Sequence, residues 1–139
     1  MASTYTPLGV ELQATGENAG TWGTKTNTNL QIIEQISGGY TTQAFSSDAD
    51  ITLSVSDGST GATLSHRIIE FTGAITASRN VTIPLDVQTF YVLKNSTSGS
   101  QNVVFKYVSF EPVETPLYDE FEPVSTLLKE PFDPVLTFA

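Results

Sequence analysis

Residues 67–107 read RIIEFTGAITASRNVTIPLDVQTFYVLKNSTSGSQNVVFKY, and this stretch decides the fold class. Apolar and β-branched runs at 67–71, 80–83, 89–93 and 102–107 recur about every 10 residues, which is the spacing of short strands joined by tight connections. Gly73, Pro84 and Ser98-Gly99 punctuate them. Upstream, Ile51–Val55 alternates apolar and polar side chains, and Asp57-Gly58 followed by Thr60-Gly61 marks a hairpin-like reversal. The chain is therefore expected to be mainly β. The spacing predicts a small antiparallel β-sandwich or prism-like module over residues 40–108.

Before that module the pattern changes. Leu30, Ile33 and Ile36 share one face at i, i+3 and i+6, and Ile32 and Ile36 add an i, i+4 pair. Thr24, Thr26 or Asn27 can cap the start, and Gly38-Gly39 is a strong stop. The result is a short helix over 25–39, too short to be stable alone in water. Its apolar face must pack on the β module or on other copies of the chain.

Residues 1–24 hold Pro7, Gly9, Gly16, Gly20 and Gly23 with no sustained period, so they read as an irregular or extended attachment arm. Trp22 is its one large apolar group. It either caps the chain's own core or docks into a neighbouring subunit.

Residues 109–139 form an acidic tail with an internal repeat. FEPVETPLYDE, FEPVSTLLKEP and FDPVLTFA restart every 11 residues, with Phe110, Phe121 and Phe132 in register. An 11-residue period suits a right-handed coiled coil, but a proline in each copy opposes helix and favours extended structure. One reading is a solvated linker whose Pro and Glu content resists folding. The other lays each Phe and Val onto an apolar surface, the linked contacts gaining strength through effective concentration.

Composition excludes several classes. At 139 residues the chain is one domain with one modest core. A net charge of −9 with only six Lys and Arg opposes phosphate binding, so nucleic acid is not an expected partner. Without cysteine there is no disulfide framework or thiolate metal site. No apolar run reaches the roughly 18 residues of a membrane span, and MASTYTPLGV lacks the basic flank and apolar core of a signal peptide, so a soluble chain without membrane insertion is expected.

Catalytic and ligand chemistry finds little to stand on. His66 is the sole histidine and sits at a strand start, where an ordinary edge position outweighs catalysis. Asp48, Asp50 and Asp57 lack the Gly and terminal Glu of a calcium loop and read as turn residues. Carboxylate pairs occur only in the tail, without the rigid scaffold a glycosidase requires. Gly16–Gly23 lacks the Gly-Lys-Ser/Thr end of a phosphate loop, and the sequons at Asn80 and Asn95 carry little weight alone. No catalytic residue, cofactor or metal is expected.

The stretch GENAGTWGTKTNTNLQIIEQISGGY at 16–40, with Leu12 and Ala14 before it, resembles the opening segment of tail-fibre and related virion proteins of tailed, marine-type phages. A weaker likeness through VTIP and FYVLKNSTSG continues to about Tyr107 and stops there. The resemblance implies a non-enzymatic virion structural protein: a short tail fibre or fibre-associated adaptor, assembled in the host cytoplasm and carried on the phage tail. It implies attachment to other virion proteins through the N-terminal segment and assembly as a homotrimer. Expected contact residues are Trp22, Leu30, Ile33 and Ile36, with Phe110, Phe121 and Phe132 in the tail. Two alternatives stay open. One is a capsid decoration or vertex protein. The other is a carbohydrate-binding β module for a host surface glycan, using Phe90, Tyr91, Phe105 or Tyr107 as an aromatic platform.

Overall fold

The computed structural model describes residues 2–108 and 136–138. Two short strands, β1 (Thr4–Tyr5) and β2 (Glu11–Leu12), precede helix α1 (Trp22–Gly38). Strands β3 (Tyr40–Ala44), β4 (Ile51–Thr52), β5 (Ile68–Thr72), β6 (Arg79–Ile83), β7 (Val92–Asn95) and β8 (Val103–Tyr107) follow, and β9 (Leu136–Phe138) closes the order. Among the described residues the chain is mainly β with one α-helix.

The strand pairing departs from the antiparallel sandwich or prism expected from spacing. One sheet has the order β3-β5-β7 and another the order β4-β6-β8-β9. Within them β3 to β5, β5 to β7, β4 to β6 and β6 to β8 all pair in parallel. The chain alternates between the sheets, so β3/β4, β5/β6 and β7/β8 are successive turns of one coil. Parallel neighbours need a long return path; here that path is the strand on the opposite sheet plus two corners. Alternating polarity is the same in a coil and in a meander, which is why sequence periodicity alone pointed to the commoner antiparallel solution.

The interior lies between the two sheets. Ile69 and Phe71 from β5 meet Val81 and Ile83 from β6 and Val103 and Phe105 from β8, all buried. Phe45, Phe71 and Phe105 run through it with ring centroids 6.0 and 6.2 Å apart, and Tyr91 meets Phe105 edge-on at 5.5 Å. These are the separations at which aromatic pairs attract beyond simple burial.

The corners need glycine where one turn passes over another. Gly73 has φ +106° and Gly99 φ +111°; a Cβ at Gly73 would lie 2.8 Å from the Phe45 carbonyl oxygen, and one at Gly99 2.1 Å from that of Ile75. The close approach permits backbone bonds between turns: Ser98 N donates to Gly73 O at 2.9 Å and Ile75 N to Ser98 O at 3.1 Å. Side chains repeat the stacking outside. Asp48 accepts from the Thr76 amide and hydroxyl and from Arg79 Nε, while Asp50 accepts from the Asn80 amide and Nδ2. On the outer face of the first sheet, Glu70 accepts from Tyr40 and pairs with Lys94 at 2.9 Å. Hydrogen bonds from Ser96, then Tyr40 and Lys94, hold the Glu70 carboxyl down to about 2.

Residues 2–21 do not extend away as a free arm. β1 and β2 pair antiparallel, Gly58 N donates to Gly9 O at 2.8 Å, and Leu8 packs against the core. The acidic tail at 109–135 lies outside the described residues. Leu136–Phe138 is described, and it pairs antiparallel with β8, Leu136 opposite Phe105 and Phe138 opposite Val103.

Candidate functional site

The helix begins at Trp22, earlier than the 25–39 expected from periodicity, despite the low helix propensity of Gly23. Tertiary bonds override propensity there. Glu11, buried on β2, is the centre of a latch: Asn18 Nδ2 donates to its Oε1 at 2.8 Å and Lys25 Nζ lies 3.3 Å from its Oε2. Asn29 bonds the Glu11 backbone in both directions, accepting from N and donating to O, each at 2.9 Å. The Asn18 hydrogen bond, opposed by burial and aided by Lys25, lowers the Glu11 carboxyl below its usual range. A buried carboxylate needs such partners to remain charged. At the other end Arg67 Nε donates to the Ile36 carbonyl at 2.9 Å, Arg67 N donates to Gln35 O at 3.0 Å, and the guanidinium lies 5.7 Å from the Phe90 ring centroid.

These contacts fix one flank of the helix, Lys25, Asn29, Ile32 and Ile36, against the body. Ile32 is fully buried and Ile36 half-buried. A different flank carries Trp22, Leu30 and Ile33, which are 64, 58 and 47% exposed. Thr26 and Ser37 complete it at helical spacing, so the stripe bears no charge. Of the two readings of Trp22, capping of the chain's own core does not occur. The expected contact residues thus divide: Trp22, Leu30 and Ile33 share an open stripe, Ile36 faces the body, and Phe110, Phe121 and Phe132 lie outside the described residues.

At the last turn of the coil the interior opens into a pocket of about 230 Å³, walled by Ile83, Phe90, Tyr91, Leu93, Phe105 and Tyr107 with Thr89 and Lys106 as its polar members. All four aromatic side chains considered for a glycan platform meet here. Their polar ends are committed elsewhere: Tyr91 Oη donates to Leu64 O at 2.6 Å and Tyr107 Oη to Val87 O at 3.1 Å. Burial pushes the Tyr91 phenol up. The pocket therefore offers apolar walls and few groups to direct sugar hydroxyls.

Elsewhere the reactive side chains serve structure. His66 Nδ1 lies 2.9 Å from Ala62 O, and Asp48 and Asp50 are engaged by the next turn as described. Thr76 lowers the Asp48 carboxyl first, and Asn80 that of Asp50. Among the described residues no group of three or more His, Cys, Asp or Glu could hold a metal, and no helix is long and apolar enough to cross a membrane. Sequence reading missed Glu11, Asn29 and Arg67, the residues that orient the helix. The only available signal was the density of Asn and Thr around the helix start, which fits local polar bonding but names no partner. No family model, curated protein or solved structure matches the chain.

Proposed function

We propose that this chain is a non-enzymatic structural protein of a tailed-phage virion, a short tail fibre or fibre-associated adaptor that assembles with copies of itself, as a homotrimer, through its N-terminal segment. The observation that carries the reading is the uncharged Trp22–Leu30–Ile33 stripe on a helix held rigidly by Glu11, Asn29 and Arg67. Exposed apolar patches of this kind mark contact surfaces. Covering the exposed parts of the three side chains is worth roughly 4 kcal/mol per subunit, from about 1.5–3 kcal/mol for fully burying one large apolar side chain. That lies near the low end of the ~4–15 kcal/mol cost of association, so assembly through the stripe alone is concentration-dependent, and other virion proteins would strengthen it. The parallel coil, whose turns are joined by backbone hydrogen bonds, supplies a body suited to a spacer. Replacing Leu30 by Asp should exclude the chain from purified virions of the phage that encodes it. Undiminished incorporation of Leu30→Asp would sink the proposal.

A further inference from the structure

The outer face of the first sheet carries an apolar row that the interior does not use. Parallel register sets Tyr40, Ile68 and Val92 side by side on β3, β5 and β7. Successive side chains in a strand point to opposite faces, so with Ile69 buried and Leu93 packed on the interior these three point outward. Tyr40 and Val92 are 55 and 46% exposed, and Ile68 between them is half-buried. Strands about 4.8 Å apart make this one patch about 10 Å across. The neighbouring row of Thr42, Glu70 and Lys94 is polar. Within it Lys94 keeps 64% of its side chain exposed against 15% for its partner Glu70, so the charge presented beside the patch is cationic.

We propose that the Trp22–Leu30–Ile33 stripe of one copy docks on the Tyr40–Ile68–Val92 row of the next copy. The inference rests on the assembly reading above and names the surface that the stripe meets. Energetics favours a second apolar patch as that surface. Covering the stripe alone gains little over the cost of association, whereas pairing it with the row removes apolar area on both sides of each contact from water. Symmetry points the same way. A head-to-tail contact joins one patch of each subunit to a different patch of its neighbour and closes a ring of three; the stripe and the row are two such patches, one on a helix and one on a sheet face. Helix on sheet is an established way to cover both. Charge supplies the register. Glu34, exposed and without an ion pair among the described residues, follows Ile33 and lies four residues after Leu30, so it flanks the stripe on the side away from the body. Across the contact it meets Lys94, and opposite charges at a rim fix orientation and exclude the reversed pairing.

The test mixes two full-length variants and weighs the products by sedimentation equilibrium. Leu30→Asp/Ile33→Asp removes the stripe and keeps the row; Val92→Glu keeps the stripe and sets a carboxylate in the row, with urea midpoints confirming that both remain folded. Each alone should have the mass of one chain. Their equimolar mixture should form a pair of about twice the 15.0 kDa chain mass and nothing larger, because only one intact stripe-to-row contact is available. The pair lacks ring closure, so it is sought at concentrations on the order of 100-fold above those at which the unmodified chain assembles. Hydroxyl-radical labelling of the unmodified chain gives a second readout: Tyr40 should be labelled in the dilute monomer and protected in the assembly. Assembly of Val92→Glu like the unmodified chain, or a mixture that stays at single-chain mass, would overturn the inference while leaving the stripe reading intact. Protection of Tyr40 at every concentration would also overturn it, by showing that the chain covers its own row. A single-chain mass for the unmodified protein at every concentration would remove the assembly reading as well.

Discussion

Gly99→Ala is the substitution the stacked coil penalises most distinctively. An added Cβ would fall 2.1 Å from the Ile75 carbonyl oxygen, far inside any tolerated contact, and the neighbour is backbone that cannot rotate away. Residue 99 also sits at φ +111°, a region costing non-glycine residues about 1–3 kcal/mol. Relief requires the third turn to lift from the second, which strains the Ile75 N to Ser98 O bond of 3.1 Å and the Ala74–Ser98 bridge. At about 1 kcal/mol per hydrogen bond, the combined loss is about 3–5 kcal/mol. Gly16→Ala provides the control: its φ of +84° is also positive, but nothing lies within 4 Å of an added Cβ. That variant should lose only the backbone term, about 1–2 kcal/mol. Urea unfolding followed by far-ultraviolet circular dichroism reads both, since a shift of midpoint at constant slope reports stability directly. If Gly99→Ala costs no more than Gly16→Ala, the turns do not approach as described and the coil is wrong.

Two further predictions concern the core and the outer ladder. Phe71→Ala, between Phe45 and Phe105, should cost about 3–5 kcal/mol, whereas Phe90→Ala, largely exposed, should cost less than about 1 kcal/mol; equal thermal midpoints for the two variants would contradict the placement of the interior. Glu70 has its carboxyl lowered from 4.5 to about 2, so the stability it contributes is fully present above pH 4.5 and is lost as pH falls from there towards 2. Glu70→Gln should flatten the acid limb of the stability profile in that window, and an unchanged limb would show that its partners do not favour the charged form.

The positions of most strands were legible in the sequence, and their partners were not. The runs at 67–71, 80–83 and 102–107 correspond closely to β5, β6 and β8, because β-branched residues alternating about a buried face are a local property. The run at 89–93 shifted to Val92–Asn95, since Tyr91 spends its side chain on the pocket and on the Leu64 carbonyl before the strand begins. Pairing direction is a property of the corners. Its trace was present in the equal chain separations of Ile68 from Val92 and of Arg79 from Val103, which lie one turn apart on the two sheets. The helix was found by its period, but its orientation depends on Glu11 and Arg67, whose partners are distant in sequence. The unusual motif at 16–40 gains a structural meaning from this: its Asn18, Lys25 and Asn29 fix the helix, leaving Trp22, Leu30 and Ile33 to face outward.

Sedimentation equilibrium of the full chain across a range of concentrations tests the claim that this outward stripe joins copies of the protein. The account predicts a species approaching three times the 15.0 kDa chain mass as concentration rises. It also predicts a monomer for Leu30→Asp/Ile33→Asp at the same concentrations, with circular dichroism unchanged because both side chains face solvent. A single-chain mass for the unmodified protein at every concentration, or an identical associated mass for the double variant, would contradict it.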